Sequence, residues 1–187
     1  MKKLALVLTV FTASIFGVNA QIQFGVKAGA NFANLTNLDG SKSLVNFNGG
    51  LLVKIPVADA FSVQPEVVYS GQGAKGDGGK LALNYINIPV LATYTLPVGL
   101  NFQTGPQLGL LLSAKSKADG GESEDVKDGF KSTDVSWAFG AGFTIPEVNL
   151  GINARYNLGL TNIIKEGGSS KNTVFQVGLY YMFGGGK

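Results

Sequence analysis

Neither cysteine nor histidine occurs anywhere in the chain. Their absence removes disulfide frameworks, thiolate nucleophiles, zinc held by thiolate or imidazole, and every Ser-His-Asp or Cys-His relay. Charge is scarce too, at 14% of residues with Lys+Arg 15 against Asp+Glu 12, so a basic surface for nucleic acid has no support. Beyond the first residues, no segment approaches the roughly 20 consecutive apolar residues of a spanning helix. What the chain does hold is glycine, 27 residues of it, together with a positive mean hydropathy of +0.20.

Residues 1–20 have the three parts of an export signal. Met1-Lys2-Lys3 is a basic start, Leu4 to Phe16 an apolar run too short to span a bilayer, and Val18-Asn19-Ala20 a small-x-small cleavage site. Cleavage leaves residues 21–187 as one domain. Lys2 and Lys3 leave with the signal, so the formal charge falls from +3 to +1.

The informative pattern lies late in the chain. Over residues 148–160, Val148, Leu150, Ile152, Ala154, Tyr156, Leu158 and Leu160 share one face of a strand. Asn149, Gly151, Asn153, Arg155, Asn157 and Gly159 share the other. A soluble strand turns Lys, Glu, Thr and Arg toward water. Small uncharged polar residues suit a narrow hydrogen-bonded lumen instead, and the unbroken apolar face suits hydrocarbon.

The same period-two reading predicts strands at 22–33, 45–55, 60–70, 82–96, 98–112, 133–145, 148–160 and 172–183. Connections alternate in length: 56–59, 96–98 and 146–147 are tight, whereas 34–44, 71–81, 113–132 and 161–171 are long and polar. Short periplasmic turns and long extracellular loops are the habit of outer-membrane barrels. The expected fold is therefore all-β, an eight-stranded antiparallel up-and-down transmembrane β-barrel. It has a narrow polar interior, four long extracellular loops and both termini in the periplasm.

Charge tests this register independently. Lys27, Lys54, Glu66, Asp134 and Arg155 are the charges inside the predicted strands, and all of them fall on the inward face. Aromatic residues fall near the strand ends, with Phe24, Phe61, Tyr94, Tyr181 and Phe183 on the periplasmic side and Phe32, Phe47, Tyr69, Trp137 and Phe175 on the other. They form the two girdles expected at the membrane interfaces. The fourth strand fits least well, since Leu83 and Leu91 fall inward and Pro89 interrupts the ladder.

These patterns resemble the PorT-like outer-membrane β-barrel proteins. The resemblance is carried by Gly25-Val26-Lys27-Ala28-Gly29-Ala30-Asn31, Val63-Gln64-Pro65-Glu66-Val67-Val68-Tyr69-Ser70-Gly71, Tyr85-Ile86-Asn87-Ile88-Pro89-Val90-Leu91 and Ala154-Arg155-Tyr156-Asn157-Leu158-Gly159-Leu160-Thr161-Asn162-Ile163. It implies the fold and the outer membrane. One branch of that family serves a protein-secretion apparatus, so a periplasmic or secretion-system partner is implied as well. The Gly184-Gly185-Gly186-Lys187 tail departs from the family habit of ending at the final aromatic, here Phe183.

No catalytic, cofactor or metal site is expected. Gly71-Gln72-Gly73-Ala74-Lys75-Gly76 has the spacing of a dinucleotide loop, but a helix should follow and Asp77-Gly78-Gly79 follows instead. Asp119, Glu122, Glu124, Asp125 and Asp128 supply oxygen for weak divalent-cation binding, against the plainer reading of a solvated loop. Inside the barrel, Lys27, Glu66 and Arg155 lie at similar heights, so one carboxylate can meet two cations. That network reads as satisfaction of buried charge, as a plug, or as the gate of a solute path.

The sequence thus favours a non-enzymatic, monomeric outer-membrane barrel with a structural or protein-interaction role. Its partners are outer-membrane lipid and lipopolysaccharide, the barrel-insertion machinery and a periplasmic or secretion-system protein. The alternative is a soluble lipocalin-like periplasmic carrier with its apolar face turned inward around a small ligand. Burial of Asn149, Asn153, Gln103, Gln107 and Arg155 separates the two. A membrane-embedded hydrolase would need an acid/base pair near one rim, and the strand carboxylates Glu66 and Asp134 sit at different heights.

Overall fold

Apolar residues face outward and polar residues fill the centre, the reverse of a soluble protein. The computed structural model describes residues 22–36, 40–76, 78–145 and 147–183. The expected export signal and the glycine tail lie outside them. The strands are β1 (Gln23–Leu35), β2 (Lys42–Pro56), β3 (Phe61–Gly76), β4 (Gly79–Thr95), β5 (Leu100–Ala118), β6 (Ser123–Asp125), β7 (Thr133–Ile145), β8 (Leu150–Gly159) and β9 (Asn172–Phe183).

Apart from the short β6, which folds back on β5, the strands pair antiparallel in the order β4-β3-β2-β1-β9-β8-β7-β5, and pairing of β4 with β5 closes the ring. The first and last strands meet from Phe24↔Phe183 to Leu35↔Asn172, which leaves no open edge in the ring. The alternation is most regular in β5, β7 and β8. Leu51 is 63% exposed and Leu179 54%, while Glu66 and Arg155 are each 2% exposed.

Short turns close one end. Residues 57–60 form a tight reversal in which Phe61 N–H donates to Ala58 O (3.1 Å). Gly99 takes φ +93° in the β4–β5 turn, and a Cβ there would strike the Thr144 carbonyl. Asn149, expected inside a strand, instead occupies the β7–β8 turn at φ +54°, a conformation that asparagine tolerates better than most residues.

At the opposite end the strands outrun the expectation. Residues 71–81 do not form a loop: the β3–β4 ladder continues through Gly71↔Asn84 to Gly76↔Gly79. Likewise β5 runs to Ala118, and β6 and a 3₁₀ turn at Lys127–Gly129 order much of 113–132. Backbone pairing needs no apolar side chain, so the ladder persists where the lipid pattern has ended. β3, β4 and β5 reach 16, 17 and 19 residues, against 13, 10 and 12 for β7, β8 and β9.

Candidate functional site

The lumen is stacked in layers, each fixed by the inward parity of several strands. Lowest lies a small apolar cluster of Leu52, Tyr180 and Met182. The Tyr180 ring covers Gly151, where any Cβ would collide with it, and its hydroxyl meets Asn101 Nδ2 (3.2 Å) and Thr144 Oγ1. Glycine on the polar face thus provides the slot that an aromatic ring fills.

Above it stands the charged layer, where the structure brings Lys27, Glu66 and Arg155 together. Arg155 grips Glu66 with two parallel hydrogen bonds, Nη1 to Oε2 at 2.9 Å and Nη2 to Oε1 at 2.8 Å. Lys27 Nζ donates to Oε2 at 3.1 Å. Such two-pronged pairs are strong because the planar guanidinium matches the carboxylate. Gln64 Nε2 adds a bond to Glu66 Oε1 (2.8 Å), and Arg155 Nη2 also reaches Gln103 Oε1 (2.7 Å). Gln64 was not singled out from the sequence; its signal is inward parity two residues before Glu66.

Next comes an amide layer. Asn31 Oδ1 accepts from Asn48 Nδ2 (2.7 Å) and Gln176 Nε2 (2.9 Å), while Asn31 Nδ2 donates to Ser70 Oγ (2.9 Å) and Gly71 O (2.8 Å). Higher still, Asp134 accepts from Thr161 Oγ1 (2.7 Å) and Asn172 Nδ2 (2.9 Å). Asp134 therefore belongs to a different layer from Glu66, and the two carboxylates share no partner. Lys54, only half-buried, reaches Thr95 Oγ1 at 3.3 Å near the turns.

An apolar stopper fills the outer mouth: Leu35, Ala74, Leu83, Tyr85, Leu111, Ala114 and Ile163. Leu83, a misfit of the fourth strand in the sequence pattern, belongs here. Ile163 comes from the connection 161–171, which is folded over the opening rather than extended into solvent. Its amide donates to Ser170 O (2.9 Å), its carbonyl accepts from Lys131 N–H (2.8 Å), and Ser170 Oγ donates to Thr36 O (2.8 Å). Inward apolar residues at the top of a polar lumen are thus the stopper's signature.

The arrangement offers little chemistry. Glu66 is neutralised on both sides, and Asp134 takes a hydrogen bond from the Thr161 hydroxyl in a layer of its own. The Gly71–Gly76 pattern lies in a hairpin with no helix after it, which removes the dinucleotide reading. Among the described residues no group of His, Cys, Asp or Glu gathers to hold a metal. Asp125 instead accepts the Lys127 N–H (2.9 Å).

On the outer surface, aromatic pairs mark both ends of the apolar band. Phe61–Tyr94 (4.8 Å between ring centres) and Tyr181–Phe183 (5.2 Å) lie by the short turns. Phe47–Tyr69 (5.1 Å) and Phe32–Phe175 (6.3 Å) lie toward the other end. Of the residues set to separate barrel from carrier, Asn153, Gln103, Gln107 and Arg155 are buried in the lumen. Only Asn149, moved into its turn, falls outside that pattern. A soluble carrier around an apolar ligand is not favoured, because its apolar face would have to line the interior.

A closed barrel with a polar packed core, an apolar belt and two aromatic girdles is a transmembrane barrel of the outer membrane. The chain belongs to the family described as the outer membrane protein beta-barrel domain, which it matches over residues 17–165. Its fold is similar to that of Neisserial surface protein A, with a TM-score of 0.57 at 12% identity over 89% of this chain and 100% of that one. It is also similar to Ail, the attachment invasion locus protein of Yersinia pestis, with a TM-score of 0.51 at 16% identity and the same coverage. At such identities the likeness is one of fold. No curated protein sequence matches the chain.

Proposed function

We propose that the protein is a non-conducting, non-enzymatic, monomeric barrel that acts through surfaces it presents outside the lipid rather than through its lumen. The observation that carries this reading is the side-chain-filled interior, mainly polar through the membrane and capped by the stopper under Ile163. A ring of about eight strands leaves room for side chains and little else. Reconstitution of the mature chain in planar bilayers tests it. The expected trace is silent, and reproducible single-channel steps would overturn the reading.

Three narrower readings accompany it. Export requires cleavage after Ala20, so intact mass should place the mature N-terminus at Gln21. The interior triad serves to hold the walls together, not to gate. Service to a secretion apparatus rests on the PorT-like resemblance alone, and the turn 57–60 is the surface such a partner would meet. Photocrosslinking in cells from Ala58 should then capture one defined envelope protein. Capture of abundant neighbours only would remove the secretion link and leave the barrel reading intact.

A further inference from the structure

A rung of lysines crosses the tall side of the barrel. Lys42 on β2 stands opposite Lys75 on β3, Lys75 opposite Lys80 on β4, and Lys80 opposite Lys117 on β5. Directly opposed residues of antiparallel strands have Cβ atoms about 4.5–5.5 Å apart, and like charges so placed oppose the pairing. Strand spacing makes the rung about 14 Å long. Lys115, opposite Ala82, lies one step below Lys117 on the same face of β5 and is opposed on its other side by Asp125 of β6.

The rung's place in the wall points to its ligand. Between Tyr69 of the aromatic girdle and Lys75, the outward positions of β3 are Gly71 and Gly73; on β4 they are Asn84 and Ala82. The rung is thus the first fixed charge met on these strands above the apolar band. At the other end of the barrel the described turns carry the exposed acids Asp59 and Glu147. Lys42, Lys75, Lys80 and Lys117 also line a recess of about 540 Å³, with Gly76, Gly79 and Asp119 beside them. Solubility alone asks for charges of both signs dispersed over a surface; β6 does set Glu124 and Asp125 beside β5, but the rung itself aligns one sign across four adjacent strands.

We propose that this rung binds the phosphorylated headgroup of an outer-leaflet lipid, one carrying more than one anionic group. A multivalent anion can bridge the adjacent ammonium groups of Lys75, Lys80 and Lys117, and its tethered acyl chains lie along the apolar belt below. The proposal deepens the reading that the outer surface is the working one. It is scored by binding, so its failure would leave the conductance result untouched.

The test measures equilibrium binding of diphosphoryl lipid A to the folded mature protein in non-ionic detergent. Lys75→Gln/Lys80→Gln/Lys117→Gln should weaken binding about a hundredfold, since each basic residue near an anionic lipid surface contributes about a factor of five. Lys165→Gln/Lys171→Gln, in the connection over the mouth, should bind as the parent does. Dephosphorylated lipid A should bind as weakly to the parent as diphosphoryl lipid A does to the triple variant. Heat-modifiable gel migration confirms that each variant is folded, and Lys80→Gln alone should show a partial loss if the triple variant fails to fold. Equal binding by parent and lysine variants, or by phosphorylated and dephosphorylated lipid, would overturn the proposal. Inorganic pyrophosphate that binds as tightly as lipid A would overturn the lipid assignment in favour of a soluble anion.

Discussion

The two sides of this barrel are built to different heights, although they share one ring. β7, β8 and β9 end close to the membrane band, whereas β3, β4 and β5 continue as a wall whose outer face carries lysines instead of apolar residues. Inside the band both sides obey the same rule, apolar outward and polar inward. Above it only the hydrogen-bonded ladder persists. Period-two alternation is therefore a code for lipid contact, and strand pairing extends as far as backbone partners are available.

The largest effect should come from the contact that joins the two sides. Glu66 stands in the tall wall, and its partners Arg155 and Lys27 stand on β8 and β1. Glu66→Gln leaves both cations buried in the lumen without a counter-charge, and breaking a buried pair from one side costs about 3–5 kcal/mol. Replacing Glu66, Lys27 and Arg155 together by Gln or Met should recover much of that loss, because the stranded charges leave with the pair. Urea midpoints of the folded barrel in liposomes measure both. A Glu66→Gln midpoint equal to the parent's would show that the network does not hold the walls together.

Leu179→Lys comes next. Its side chain faces hydrocarbon on β9, where a lysine near the midplane costs about 2–4 kcal/mol. The same urea titration should show the drop, and less protein should accumulate in the outer membrane; an unchanged midpoint would mean the β9 register is wrong. Ile163→Ala should cost about 2 kcal/mol, the low end for truncating a buried aliphatic residue, because the loop above can settle into the space. Here the checks are the urea midpoint and protease cleavage within residues 161–171, which should quicken as the connection lifts from the mouth.

Much of this was legible from residue parity. The ring of eight strands, the inward charges and the aromatic girdles all follow from alternation, because lipid penalises each outward polar residue separately. The meeting of Lys27, Glu66 and Arg155 was legible as well, since inward charges at one height in a narrow lumen have nowhere else to go. The tall wall was not, because Gly71, Gly73, Lys75 and Lys80 put no apolar side chain outward and looked like loop. The stopper was equally hidden: Leu83 read as a misfit of the fourth strand, and Ile163 lay in a polar connection. Ile163 reaches its neighbours on β1, β3, β4 and β5 only across contacts distant in sequence.

The smallest expected effect sharpens the boundary between the two regimes. Leu112 is 47% exposed on β5 and lies beside the irregularity where Asn84 pairs with Ser113 but Tyr85 pairs with Leu111. Below it, Leu108 and Leu110 face lipid; above it, Lys115 and Lys117 begin the charged wall. If the apolar band ends there, Leu112→Lys places its ammonium at the interface, where the cost falls to about 0–1 kcal/mol. A lysine can also extend its chain upward to bring the charge into the headgroups. The comparison with Leu179→Lys is then a depth measurement, one substitution at two heights. Urea midpoints that fall equally for both would place Leu112 within the hydrocarbon and raise the band toward the lysine rung. A small shift at Leu112 beside a large one at Leu179 would set the membrane edge between Leu110 and Lys115, so that the remainder of the tall wall stands in the headgroup layer and beyond.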